Sequence, residues 1–250
     1  MTTDSKMTGR ETRRGATAPM SLEITTRNRL PADAAYREIF ITWLPTEPKE
    51  PVIAKVAELH AQGFAPVPHI SAFKVRDAAE ARTLAAQLAP YTRKVFLIRG
   101  GGRQEGAFAT VADLLATGAF AGFEIGIAGF PEGNGPLSYE ESLAILRAKA
   151  PAAQFVTTQW SLDAAAVRRF LDDSPLPVHV GIPNRCTTAQ LIRFAAICGV
   201  ENTVRGALAN PRNLLRFVTG FDPRYLVDAL AGHPRLAKFH VYAFGNFAKL

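Results

Sequence analysis

The chain has 250 residues and a mass of 27.1 kDa, which suits a single α/β barrel and also allows two small domains. Apolar residues make up 48% and charged residues 20%, enough to bury a sizeable core and to exclude global disorder. The net charge is +7 with Arg outnumbering Lys, but the basic residues are scattered and the densest cluster is Arg13-Arg14, a pattern that argues against nucleic acid and for a small polyanionic ligand.

Residues 1–19 carry no periodic apolar pattern and no apolar core of a secretory signal, and read as a disordered tail. Met20 opens the first strand-like run, so residues 20–250 are expected to form one domain. β-branched or aromatic runs predict strands at 20–26, 37–43, 65–71, 94–99, 123–129, 154–160, 177–182 and 238–243. Ala/Leu-rich runs predict helices at 51–62, 77–88, 108–117, 139–148, 163–172, 187–197, 211–218 and 222–231. Asp77, Ser138, Asp163 and Thr187 sit at N-cap positions, and Ser138 with Glu141 has capping-box spacing.

Strands alternating with helices predict an α/β fold of the (β/α)8 TIM-barrel type. About ten residues separate the first two strands, too few for a full crossover helix. The first helix is therefore expected to be reduced, and no final helix follows the last strand. Barrel wall left bare at that corner would need cover from a homodimer or a partner protein. Glu124 and the Gly/Pro breaks interrupt the apolar stretch 120–130, so no membrane span is expected. Cys186 and Cys198 cannot make a disulfide framework; both read as packing residues and point to a cytoplasmic setting. The His residues at 60, 69, 179, 233 and 240 lack metal-ligand spacing, so no catalytic metal is expected.

In such barrels the chemistry sits at the C-terminal ends of the strands. Those ends deliver Glu23, Thr25 and Arg27; Thr42 and Trp43; His69 and Ser71; and Arg99 before a run of three glycines. The later strands deliver residues 130–134, then Thr158, Gln159 and Trp160, then residues 181–185, and last His240 and Tyr242. Polar side chains in otherwise apolar strands are costly to bury unless paired or used, and their clustering favours a pocket. Plainer alternatives stand beside that reading. Glu23 would pair Arg27 or Arg99 in the barrel mouth, His69 would bond a backbone carbonyl, Gln159 would be a core amide, and Trp160 would pack. His240 and Tyr242 read as caps of the barrel.

Across residues 20–245 the chain resembles the methylenetetrahydrofolate reductases. The likeness is carried by S-L-E at 21–23, I-T-W at 41–43, P-H-I at 68–70, L-I-R-G at 97–100 and F-P-E-G-N at 130–134. It continues in T-Q-W-S-L-D at 158–163, V-G-I-P at 180–183 and H-V-Y at 240–242. The resemblance implies an oxidoreductase that interconverts methylenetetrahydrofolate and methyltetrahydrofolate with NAD(P)H through FAD. It implies Glu23 as general acid, a role that suits a buried carboxyl with a raised pKa. Gln159, Thr158, Trp160 and Glu132 would hold the folate substrate. Thr42, His69, Arg99, Gly100, Phe130, Asn134 and Lys149 would line the flavin. Departures fall on the flavin side: Gly101 replaces an Asp, Asn134 a His, and Ser142, Ile145 and Ala148 replace polar contacts. A folate-binding barrel without redox chemistry is therefore one alternative, and a barrel for another anionic substrate is a second.

Overall fold

Parallel strands hydrogen-bond in chain order, and the eighth returns to pair with the first, closing a barrel. The computed structural model describes residues 18–31, 33–209, 220–248 and 250. Among these the strands are β1 (Met20–Thr25), β2 (Glu38–Thr42), β3 (Ala65–Ser71), β4 (Lys94–Ile98), β5 (Glu124–Gly129), β6 (Phe155–Thr158), β7 (Val178–Pro183) and β8 (Leu236–Tyr242). The helices are α1 (Glu50–Ala61), α2 (Ala78–Leu88), α3 (Val111–Ala116), α4 (Tyr139–Lys149), α5 (Ala164–Asp173), α6 (Thr188–Cys198), α7 (Glu201–Ala209) and α8 (Arg224–Leu230). This is the (β/α)8 architecture expected from the alternation of runs. No described helix is long and apolar enough to cross a membrane.

The helix starts follow local chemistry. Asp77 accepts from the Glu80 amide, and Ser138–Glu141 and Thr187–Gln190 form full capping boxes. Thr110 and Asp113 form another, so α3 starts at Val111 rather than at 108. Helix α7 was not anticipated. Gly199 closes α6 in the left-handed region (φ 68°), a conformation glycine adopts without steric cost, and the chain restarts as α7 two residues later. The expected helix over 211–218 and nearly all of the expected tail lie outside the described residues.

No helix is described between β1 and β2, as the short spacing required. Near this corner segments of the chain itself pack on the core. Leu30, Ala34, Phe247 and Leu250 pack on the core, and the buried Tyr36 donates its hydroxyl to the Ala248 carbonyl at 3.2 Å. Asn184 Nδ2 donates to the Asn246 and Ala248 carbonyls at 2.7 and 3.2 Å, tying the segment after β8 to the end of β7.

Strand alternation splits the core in two. Leu22, Ile24, Ile39 and Ile41 face the helices in one continuous cluster. Phe40, Val67, Phe96 and Phe155 form a separate cluster inside the barrel. Phe155 fits because Gly126 faces it from β5; a Cβ there would stand 2.2 Å from the ring. At the N-terminal end of the strands, Glu38 meets Lys94 at 3.2 Å and Lys238 at 2.6 Å, and Lys94 reaches Glu124 at 2.9 Å. Burial opposes the charge of Glu38, but the Lys238 hydrogen bond and the two ammonium charges outweigh it and lower its pKa. These pairs tie β2, β4, β5 and β8 together at the N-terminal end of the barrel.

His179 lies between that charged floor and the phenylalanine layer. Its ring stacks on Phe155 at 4.4 Å and 18°, and its Nδ1 has no hydrogen-bond partner. Burial, then the charges of Lys238, His240 and Lys94, push its pKa down from 6.5 to about 2. The unfolded chain takes up a proton below pH 6.5 that the folded chain refuses, so this group's stabilisation is complete above pH 6.5 and is lost as pH falls toward 2. The slope is about 1.4 kcal/mol per pH unit. Urea unfolding of the wild type and His179→Leu across that range should show a shallower acid decline in the variant. Parallel declines would mean that His179 does not set the slope.

Candidate active site

Three strands bring one cluster together at the C-terminal mouth. Glu23 on β1, His69 on β3 and His240 on β8 all point inward. Glu23 Oε2 lies 3.2 Å from His240 Nε2 and 3.4 Å from His69 Nε2. The His240 contact is an aligned hydrogen bond, whereas His69 Nε2 has the distance of an ion pair without that alignment. The Glu23 side chain keeps 16% of its surface exposed. One oxygen is anchored while the carboxylate still reaches the mouth.

His240 is fully buried, and its Nδ1 lies 3.0 Å from Ser21 Oγ. An ionised carboxylate requires a donor at Nε2, so in the neutral ring Nδ1 is the acceptor and Ser21 donates to it. Barrel closure makes this chain of groups, because Ser21 pairs with His240 and Glu23 with Tyr242 across β1 and β8. The Phe40 ring edge underlies both imidazoles, at 4.4 Å from His240 and 6.2 Å from His69, and Phe96 lies 4.9 Å from His69. The cluster thus stands on an apolar floor that keeps water from beneath it.

Burial alone would raise the pKa of Glu23. The charge of His69, the hydrogen bond from His240 and the charge of His240 outweigh that and hold the carboxyl below the usual carboxylate range. This corrects the expectation of a raised pKa and a protonated acid: at neutral pH the group is an anion. It also corrects the plainer alternative, since its partners are imidazoles rather than Arg27 or Arg99. Arg27 pairs with Glu47 at 3.2 Å, and the Arg99 guanidinium lies over the Phe73 ring at 5.3 Å. His240 is a member of the cluster rather than a cap of the barrel. Its inward parity with Tyr242 was the available signal, but the partner strand 217 residues away was not legible.

The residues expected to hold a substrate are largely occupied by the protein. Thr158 is buried, its Oγ1 accepts from the Gly181 amide at 2.8 Å, and its carbonyl accepts from the Tyr242 hydroxyl at 3.1 Å. Gln159 donates to the Cys198 carbonyl at 3.1 Å and accepts from the Trp160 amide at 3.0 Å, so both ends of its amide are used. Trp160 is buried, packs edge-on to Phe244 at 5.7 Å, and presents no face for stacking. Glu132 accepts from Ser161 Oγ beside a small cavity of about 70 Å³ that Gln159 and Phe130 also line.

The residues expected on the cofactor side do not form one site. His69 joins Glu23. Thr42 ends β2, where it pairs with Thr25 of β1. Gly100, at φ +94°, packs on Ser71, whose hydroxyl a Cβ would meet at 2.0 Å. Arg99, Phe130, Asn134 and Lys149 do share a second cavity, of about 350 Å³. Among the described residues no group of three or more His, Cys, Asp or Glu side chains is arranged to hold a metal ion.

No family model matches the chain. Solved structures with the same fold include a provisionally named phosphonomutase from Burkholderia cenocepacia J2315, at 15% identity and a TM-score of 0.55 over 92% of this chain and 88% of that one. A provisionally named lyase/mutase from the same organism matches at 14% identity and a TM-score of 0.52, over 90% of this chain and 94% of that one. Likeness at this identity establishes the barrel alone. It runs to mutase and lyase barrels, and the resemblance to methylenetetrahydrofolate reductases is overturned. The short motifs behind that resemblance are apolar strands ending in Gly, Pro or a polar residue, as parallel barrels generally need. The folate oxidoreductase reading and its folate-binding alternative are withdrawn, and FAD, NAD(P)H and tetrahydrofolate lose their basis with them.

Gly181 sets the spacing of the mouth between β6 and β8. A Cβ there would stand 2.3 Å from the Thr158 carbonyl oxygen and 2.9 Å from the Tyr242 ring. Gly181→Ala should therefore destabilise the fold by about 1–3 kcal/mol, as overpacking of a rigid core does. Equilibrium unfolding checks this, and wild-type stability would show that the mouth yields without cost.

Proposed function

We propose that this chain is an enzyme of lyase or mutase type that removes a proton from a small anionic substrate, with Glu23 as the base. The observation that carries the reading is one carboxylate oxygen fastened between two imidazoles, on a side chain that keeps 16% of its surface exposed at the C-terminal end of a parallel barrel. An ionised carboxylate accepts a proton and does not supply one. His69 and His240 position it, and Ser21 bonds the far ring nitrogen of His240.

A carboxylate held this far toward its anion is a weak base in the resting site. Substrate entry changes that balance, because expelling water from the mouth adds to the burial that already opposes the charge of Glu23. The substrate class is supported by the net charge of +7, which raises the local concentration of anions. The fold shared with provisionally named mutase and lyase barrels fits this chemistry and does not specify the substrate.

Proton removal is visible without knowing the complete reaction. Incubation with a panel of small α-keto and α-hydroxy carboxylates in deuterium oxide, followed by NMR, should show enzyme-dependent deuterium at a carbon next to the carboxylate or ketone. Glu23→Gln keeps the shape and removes the base, and should slow exchange by about 100-fold or more. Exchange at the wild-type rate in that variant would overturn the assignment of Glu23.

A further inference from the structure

A second cavity lies where α4 meets residues at the ends of β4 and β5. Ser142, Ile145 and Lys149 are spaced i, i+3, i+7 and so share one face of α4, while Leu143 and Leu146 turn toward the core. That first face lines the cavity of about 350 Å³, with Phe130 and Leu137 opposite and Arg99 at the β4 end. The volume is that of a small-molecule site.

Three observations set this cavity apart from a packing defect. The Ser142 hydroxyl is buried and has no hydrogen-bond partner, an arrangement that costs free energy unless something arrives to bond it. Ile145 lies on the rim with 46% of its surface exposed, one of the few large apolar side chains so placed among the described residues. Neither cation has a recorded carboxylate partner among those residues: Arg99 rests on the Phe73 ring, and Lys149 is half-buried. Burial alone accounts for the lowered pKa of Lys149, in keeping with an ammonium that lacks a counter-ion.

We propose that this cavity binds an amphipathic oxyanion, its carboxylate or phosphate head between Lys149 and Arg99 and its apolar body against Ile145, Phe130 and Leu137. Ser142 donates to an oxygen of the head. Carboxylate and phosphate heads share the chemistry that two cations recognise. Neither a bare anion nor a neutral hydrocarbon satisfies both halves of the site. The inference does not depend on Glu23, which does not line this cavity.

Isothermal titration calorimetry of the full chain with octanoate, phenyl phosphate and inorganic phosphate tests it. Saturable binding of octanoate identifies a carboxylate ligand, and saturable binding of phenyl phosphate alone identifies a phosphate ester; either supports the site. Lys149→Gln and Arg99→Gln should each weaken binding by about tenfold, the effect of removing one charge-assisted hydrogen bond. Ala148→Trp, on the exposed rim of the cavity, should abolish it by filling the space. The Arg99 side chain is exposed, so that variant tests the site without threatening the fold. Proton transfer is read by deuterium exchange and this site by calorimetry, so failure of the proton-transfer reading and failure of this one are separable. No binding by octanoate or phenyl phosphate overturns the proposal. So does inorganic phosphate binding as tightly as phenyl phosphate, or affinity that all three cavity variants leave unchanged.

Discussion

Pairing of β1 with β8 is the constraint from which the rest of the structure follows. An open sheet of these strands would expose two edges, and neither Glu23 nor His240 would have its partner. Closure sets Ser21 beside His240 and Glu23 beside Tyr242, and with those pairs it creates an ionised carboxylate between two imidazoles. The same closure presses inward-facing side chains from opposite strands into one column. Its contents change from charged at the N-terminal end, through aromatic, to polar at the mouth.

That stacking of layers explains how a barrel this polar inside remains buried. Glu38, Glu124, Lys94 and Lys238 answer one another's charge at the floor. The phenylalanines above them exclude water and give His179 a ring to stack on, at the cost of leaving one of its nitrogens without a hydrogen bond. At the mouth the polar groups pair with one another while Glu23 keeps part of its surface exposed, which distinguishes a site from a core. The glycines at 126 and 181 are part of this arrangement, since each yields its side-chain volume to a neighbouring strand's contents.

The mouth also shows why strand-end residues of similar appearance do different work. Thr158, Gln159 and Trp160 look like ligand-binding groups in one dimension, yet their polar atoms are consumed by Gly181, Tyr242 and Cys198 or shut away from solvent. Arg99, Phe130, Asn134 and Lys149 come from separate elements and enclose one cavity. Whether a polar residue serves the fold or faces a ligand is settled by what stands across from it, and that partner is generally far away in the chain.

Much of the architecture was legible in the sequence, because its causes are local. The eight strands follow from short β-branched and aromatic runs, and the caps Asp77, Ser138, Asp163 and Thr187 follow from side chains that bond amides two or three residues on. The missing first crossover helix follows from chain length alone. Glu23 and His69 were legible as polar residues at strand ends, though not as partners. The state of Glu23 was not legible, because burial and imidazole charge act on it in opposite directions and the balance depends on distances of 3.2 and 3.4 Å. Motif likeness misled for the same reason: short strand-end strings record what a parallel barrel needs locally, while the chemistry depends on side chains joined across the closed sheet. Local patterning determined the elements and their order, and only the tertiary structure decided which polar groups meet, because electrostatics and hydrogen bonding act through space rather than along the chain.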